Sequence, residues 1–183
     1  MAGWIAALAL IPAGAGTGTG TGTGTGPETR MAAVQATPRP CTPPPLPADL
    51  AGWRQQSPVA AGAAVADAPL LAIGGGARAR LVATDSVRYA RQPDKPGAAG
   101  SFGGLFAFTV ARAGRYRIAL GAGGWIDVVQ GDRAIASVAH NHGPACSPIR
   151  KMVDFDLAPG RYLLQIAGST ARELPLMIAT VHR

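Results

Sequence analysis

The stretch FTVARAGRYRIAL, residues 108–120, alternates apolar and polar side chains on both sides of a break of small residues. Phe108 and Val110 share one face before the break. Tyr116, Ile118 and Leu120 share one after it, with Arg115 and Arg117 opposite. Period-two alternation of this kind puts one face of an antiparallel strand in a core and the other in water. FDLAPGRYLLQI, residues 155–166, aligns with the first stretch after one gap. In each, a strand runs into an Ala-initiated turn that ends in glycine, and Arg-Tyr opens the return strand. The pattern predicts two related β-hairpins, with Gly114 and Gly160 supplying the positive φ of a tight turn.

The same grammar extends outward. FAFTV aligns Phe106, Phe108 and Val110. MVDFDL sets Val153, Phe155 and Leu157 against Asp154 and Asp156, and RYLLQI aligns Tyr162, Leu164 and Ile166. Between the two stretches lie GWIDVV, a Gly131-Asp132 turn and RAIASVAH. ELPLMIATVH closes the chain, and its Pro175 predicts an edge position or a bulge. With LVATDSVRY (81–89) ahead of them, about eight strands are expected, and no segment after residue 78 has a helical period. The fold class is all-β, an antiparallel β-sandwich of jelly-roll-like type spanning 78–183. Hydrophobic residues make up 48% of the 183 but aromatics only 5%, so the core must come from the Val, Ile, Leu, Phe, Tyr and Trp that gather after residue 80.

The amino-terminal part reads differently. WIAALALIP (4–12), followed by Ala13-Gly14-Ala15, has the length of a signal h-region and is too short for a bilayer span. Residues 1–15 are read as a signal peptide, which makes the protein periplasmic or secreted. The Thr-Gly repeat at 16–26 has no apolar face to bury, and PRPCTPPPLP (38–47) enforces polyproline II, so 16–47 reads as a low-complexity, disordered linker. Residues 48–77 form an Ala/Gly-rich lead-in, in which Trp53 is expected to tuck against the domain and GGG (74–76) to mark a turn.

The net charge of +7 does not point to nucleic acid. Fifteen of the 17 basic residues are arginine, scattered without runs or interleaved aromatics; only Lys95 and Lys151 are lysine. No G-x-S-x-G elbow or Walker loop occurs, and Cys146 beside His142 lacks a third member for a nucleophilic triad.

HNHGPACSPIRK (140–151) gathers two of three histidines, one of two cysteines and a basic pair. In an exported chain, two cysteines most simply pair, so Cys41–Cys146 is the expected disulfide, pinning the proline-rich lead-in to the sandwich. Trp125, Asp127, Arg150 and Lys151 form a candidate rim for a small anion or sugar. The competing reading is metal: His140 and His142, two apart on a strand, share a face and could meet Fe or Zn, with a carboxylate such as Asp127 from elsewhere.

F-x-F-x-V, AGRY, W-I-D-V and APGRYLLQIAG, in that succession over 102–181, resemble bacterial pre-peptidase carboxy-terminal domains, which are secreted jelly-roll modules. That resemblance implies a non-catalytic module, with Asp127 at the family's acidic position on a central strand and without its usual Asp cluster. The chain also resembles short exported proteins named for homogentisate dioxygenase, a cupin. The H-x-H of His140 and His142 fits a cupin motif, while Cys146 or Ser147 stands where the cupin glutamate belongs and Ala134 where its glycine does. The reading is therefore an exported, non-catalytic β-sandwich module that needs no cofactor and binds an unknown ligand or envelope protein through its loops. The alternative is a cupin-like dioxygenase built on His140 and His142.

Overall fold

Eleven strands among the described residues make two stacked sheets. They are β1 (Gln56–Ala60), β2 (Gly76–Arg80), β3 (Val82–Ala83), β4 (Phe102–Val110), β5 (Gly114–Leu120), β6 (Trp125–Gln130), β7 (Arg133–Ile135), β8 (Ala139–Asn141), β9 (Lys151–Leu157), β10 (Gly160–Ser169) and β11 (Glu173–Thr180). The computed structural model describes residues 41–182; the expected signal peptide and the linker up to residue 40 lie outside them. One sheet runs β1-β2-β11-β5-β9-β8 and the other β3-β4-β10-β6-β7. All pairings are antiparallel except β1 on β2.

Within this order, β2 pairs with β11, β4 with β10, β5 with β9 and β6 with β7. These four nested pairs describe one long hairpin, its tip at Gly131-Asp132, rolled into two layers. That is the jelly-roll arrangement. The alternation in the sequence is what fills it: Phe106, Phe108, Val110, Tyr116, Ile118, Leu120, Val153, Phe155, Leu157, Tyr162, Leu164 and Ile166 all meet in the core between the sheets. Phe108 and Tyr162, opposite each other on β4 and β10, stack at 5.5 Å between ring centroids.

The two aligned stretches are not hairpins. β4 and β10 belong to one sheet, β5 and β9 to the other, so each stretch is an arch that carries the chain across the core. The arches then pair with each other, β4 on β10 and β5 on β9. A crossing turn does not need tight-hairpin geometry. Accordingly Gly114 is not at positive φ, whereas Gly160 is, as expected, at φ 155°. Each arch is held by its tyrosine. Tyr116 Oη donates to the carbonyl of Arg112 at 2.8 Å, and Tyr162 Oη donates to that of Ala158 at 2.9 Å. Both bonds reach back four residues, from the start of the return strand across the turn, in the manner of the tyrosine corners of other sandwiches.

Three further expectations need correction. LVATDSVRY is a strand only at Val82–Ala83; Thr84–Ser86 turns into 3-10 helix, stabilised by Thr84 N–H donating to Ser101 O. The first jelly-roll strand is instead β2, GARAR, which straddles the expected boundary between the lead-in (48–77) and the domain (78–183): Ala77 and Ala79 face the core and Arg78 and Arg80 face out. RAIASVAH divides into β7 and β8, one in each sheet. Pro175 sits in β11, an interior strand between β2 and β5, not at an edge. It is tolerated because the β5 ladder starts only at Leu176, and Pro175 faces its end with a carbonyl that accepts from Gly121 N.

The outer faces are covered too. The 3-10 segment Ala48–Arg54 lays Leu50 and Trp53 on Ala119, Met152, Met177 and Ala179. Arg117 clamps it: the guanidinium grips Asp154 at 2.8 Å and reaches Asp49, in that segment, at 3.1 Å. Cys41 and Cys146 are joined, with Cα atoms 5.5 Å apart, so the proline-rich lead-in is tied to the loop before β9. In the chain-entropy model, closing a loop of this length contributes about 4–5 kcal/mol.

The corner hydroxyls supply a direct test. Y116F and Y162F each remove one hydrogen bond and leave the ring in place, which should cost about 0.5–1.5 kcal/mol apiece in urea unfolding. Loss of less than a few tenths from both would mean that the turns hold without the tyrosines.

Candidate ligand-binding cleft

β7 is too short to cover β6. It pairs with Val128–Gln130 only, so Trp125, Ile126 and Asp127 keep one edge without a ladder partner. A cleft of about 440 Å³ opens there, where β7 and β8 end the two sheets. Its apolar lining is Ile126, Ile135, Val153 and Phe155; its polar lining is Asp94, Trp125, Asp127, Ser137, His140 and Lys151.

Strand register places each of these. Lys151 is in phase with Val153 and Phe155 on the inner face of β9, and its Nζ crosses to the other sheet to donate to Gly124 O at 2.6 Å. Asp127 is opposite Gln165 on β10, and the Trp125 indole N–H donates to Asp127 Oδ1 at 2.9 Å. The bond fixes the plane of a half-buried ring. Over that ring lie two ammonium groups, Lys95 Nζ at 5.2 Å and Lys151 Nζ at 5.6 Å from its centroid, both within cation–π range. These are the chain's only lysines.

Lys95 is exposed, on a loop that sequence reading passed over. What holds the loop is Gln165, buried on the outer face of β10. Its Oε1 accepts from Ala90 N and Arg91 N at 2.8 and 3.1 Å, and its Nε2 donates to Arg91 O at 2.9 Å. A lone glutamine in an otherwise apolar strand, RYLLQIAG, is the signal that was available: a buried amide must find partners. Asp94 and Lys95 follow from that anchorage.

Of the sequence candidates, Trp125, Asp127 and Lys151 converge with His140. His140 is opposite Val153, and its Nε2 is 3.1 Å from Ser137 Oγ. Arg150 does not join them; it is exposed, with its backbone engaged by Leu120 and by His142, whose Nδ1 donates to Arg150 O at 3.2 Å. β8 ends at Asn141, so only the first histidine of H-x-H stands on the strand. Among the described residues no group of three or more His, Cys, Asp or Glu is placed to hold a metal ion.

The electrostatics are unusual in one respect. Asp94, Lys95, Asp127 and Lys151 gather at one opening, yet none forms an ion pair within 4 Å among the described residues. Burial pushes the Lys151 ammonium below its ordinary pKa, and the charge of Lys95 pushes it the same way against the pull of Asp127. Burial pushes the Asp127 carboxyl up. The Trp125 N–H opposes that shift, Asp94 adds to it, and Gln165 and Arg91 oppose it.

A raised carboxyl pKa means that folding disfavours the carboxylate. The charge costs stability above the folded pKa, and the cost fades as pH falls toward the ordinary value near 3.8. D127N keeps an oxygen for the Trp125 indole and has no charge to bury. Its stability relative to wild type should therefore rise with pH through the window just above the ordinary carboxylate value, as read by urea unfolding at stepped pH. A difference that is flat with pH would contradict the assignment.

The cleft has to be read from its own chemistry: the chain matches no protein-family model, and no curated protein is similar to it in sequence.

Proposed function

We propose that this protein is an exported, non-catalytic β-sandwich module that binds a small ligand in the Trp125 cleft. The observation that carries the reading is the meeting of both lysines over one oriented indole at an opening with an apolar floor. An apolar recess with a few convergent polar groups is the usual form of a small-molecule site, and 440 Å³ is within the usual size. The residues present suit binding better than catalysis. No nucleophile stands beside a base and an orienting group in the cleft, since His140 faces Ser137 on the exposed side and its ring has no acidic partner among the described hydrogen bonds. Export is supported by the Cys41–Cys146 cross-link, because such bonds persist in oxidising compartments.

Both halves are testable. Protein recovered from an envelope fraction should gain the mass of one pair of hydrogens on reduction; free thiols before reduction would remove the support for export. For binding, indole N–H signals in ¹⁵N spectra offer two reporters, Trp125 at the cleft and Trp53, which the 3-10 segment buries against the other sheet. A mixed library of small carboxylates, sugars and amines should contain members that shift Trp125 and leave Trp53 in place, and W125A should lose their binding. If no compound moves the Trp125 signal, the cleft is not a ligand site.

A further inference from the structure

The charges of the cleft specify more than that something binds. We infer that its ligand is an acidic sugar, a hydroxylated ring bearing a carboxylate, held with its carboxylate between Lys95 and Lys151 and its hydroxyls toward Asp127 and Asp94. This rests on the binding role proposed above and names the class of ligand for that site.

Three observations carry it. First, two ammonium groups approach the same indole, at 5.2 and 5.6 Å, and neither is neutralised by an ion pair among the described residues. Lys151 spends one N–H on Gly124 O and keeps two. Burial is the main reason the Lys151 pKa is lowered, and the Lys95 charge adds to the shift against the pull of Asp127. An incoming carboxylate would answer both ammonium groups. Second, lysine stands here in a chain that otherwise uses arginine at every basic position. A compact ammonium on a flexible stem is a point charge that can close on a ligand oxygen from either side, whereas a guanidinium imposes a planar fork.

Third, the remaining polar groups include two carboxylates, which only accept, and a hydroxyl and an imidazole, which can accept or donate. Asp127 keeps Oδ2 beyond its bond to the indole, and Asp94, Ser137 and the His140 ring line the same opening. Acceptors facing a pocket call for donors on the ligand, and hydroxyl groups supply several at once. A purely apolar carboxylate would offer the half-buried Asp127 no donor beyond those it already has in the Trp125 indole and Gln165. An acid bearing hydroxyls answers both signs of charge, and its C–H face suits the apolar floor of Ile126, Ile135, Val153 and Phe155.

The test uses the intact disulfide-bonded protein and three probes: an unbranched tri-uronate, the same trisaccharide with each carboxyl reduced to a primary alcohol, and a panel of free amino acids. Titrations follow the Trp125 indole signal and calorimetry. The tri-uronate should bind at least about tenfold more tightly than its neutral counterpart, and K151M should abolish that advantage. K95A should weaken tri-uronate binding several-fold, and raising salt should weaken it further, since Lys95 is exposed to screening. D127N should weaken both saccharides about equally, because it answers hydroxyls and not the carboxylate. Equal binding of the neutral sugar, or binding of amino acids in preference to both saccharides, would overturn the inference. If the tri-uronate fails at millimolar concentration while other compounds still shift Trp125, the ligand class is wrong and the binding role stands. If nothing shifts Trp125, both fall.

Discussion

Two of the chain's crossings between the sheets, β4 to β5 and β9 to β10, are equivalent, and the rest of the molecule depends on how they are held. Tyr116 and Tyr162 each fasten the start of a return strand to the carbonyl four residues back while burying the ring in the core. The bond orients the turn and the ring fills the layer behind it, so one residue serves both local direction and packing. Because the arches are related, their strands meet in matching register: Tyr116 is opposite Phe155, and Tyr162 is opposite Phe108. An error at one crossing would displace the partner strand of the other. Neither pairing is local in sequence, so the core assembles only when both arches are in place.

The cleft is a by-product of unequal strand length. β6 has six residues and β7 has three, so half of β6 is left without a partner at the edge of its sheet. In a sandwich such an edge invites pairing with another chain. Here the loop fixed by Gln165 brings Asp94 and Lys95 to that place, and Lys151 reaches it from the opposite sheet. Charges on the edge both discourage strand addition and furnish the opening with polar groups.

Much of this was legible in the residues, and the failures have physical reasons. Alternation named the inward-facing side chains of β4, β5, β9 and β10 correctly, because period two depends only on which face meets the core. It cannot tell a hairpin from an arch: the sequence around a turn is the same whether the next strand pairs with the last one or lies 10 Å away across the core. GARAR also alternates, but its inward residues are both alanine, which gives a weak hydrophobic signal though Ala79 is fully buried. The cysteine pair followed from counting, and of the four residues grouped as a rim, Trp125, Asp127 and Lys151 line one cleft while Arg150 does not. Lys95 escaped notice because it is placed by tertiary contact, through Gln165 some 70 positions later, and no local pattern encodes that.

The cross-link also decides how the domain would bear tension. Without it, a pull on Cys41 would travel along the chain into the 3-10 segment and then β1, an edge strand held on one side only and able to peel away pair by pair. With it, the load passes to Cys146 and so to β9, which is flanked by β5 along its whole length and by β8 on its other side. An interior strand yields only when ladders on both sides give way together. A module tethered through its proline-rich lead-in is in this way anchored at an interior strand of a sheet, and the strand that carries the load is the one that bears Lys151.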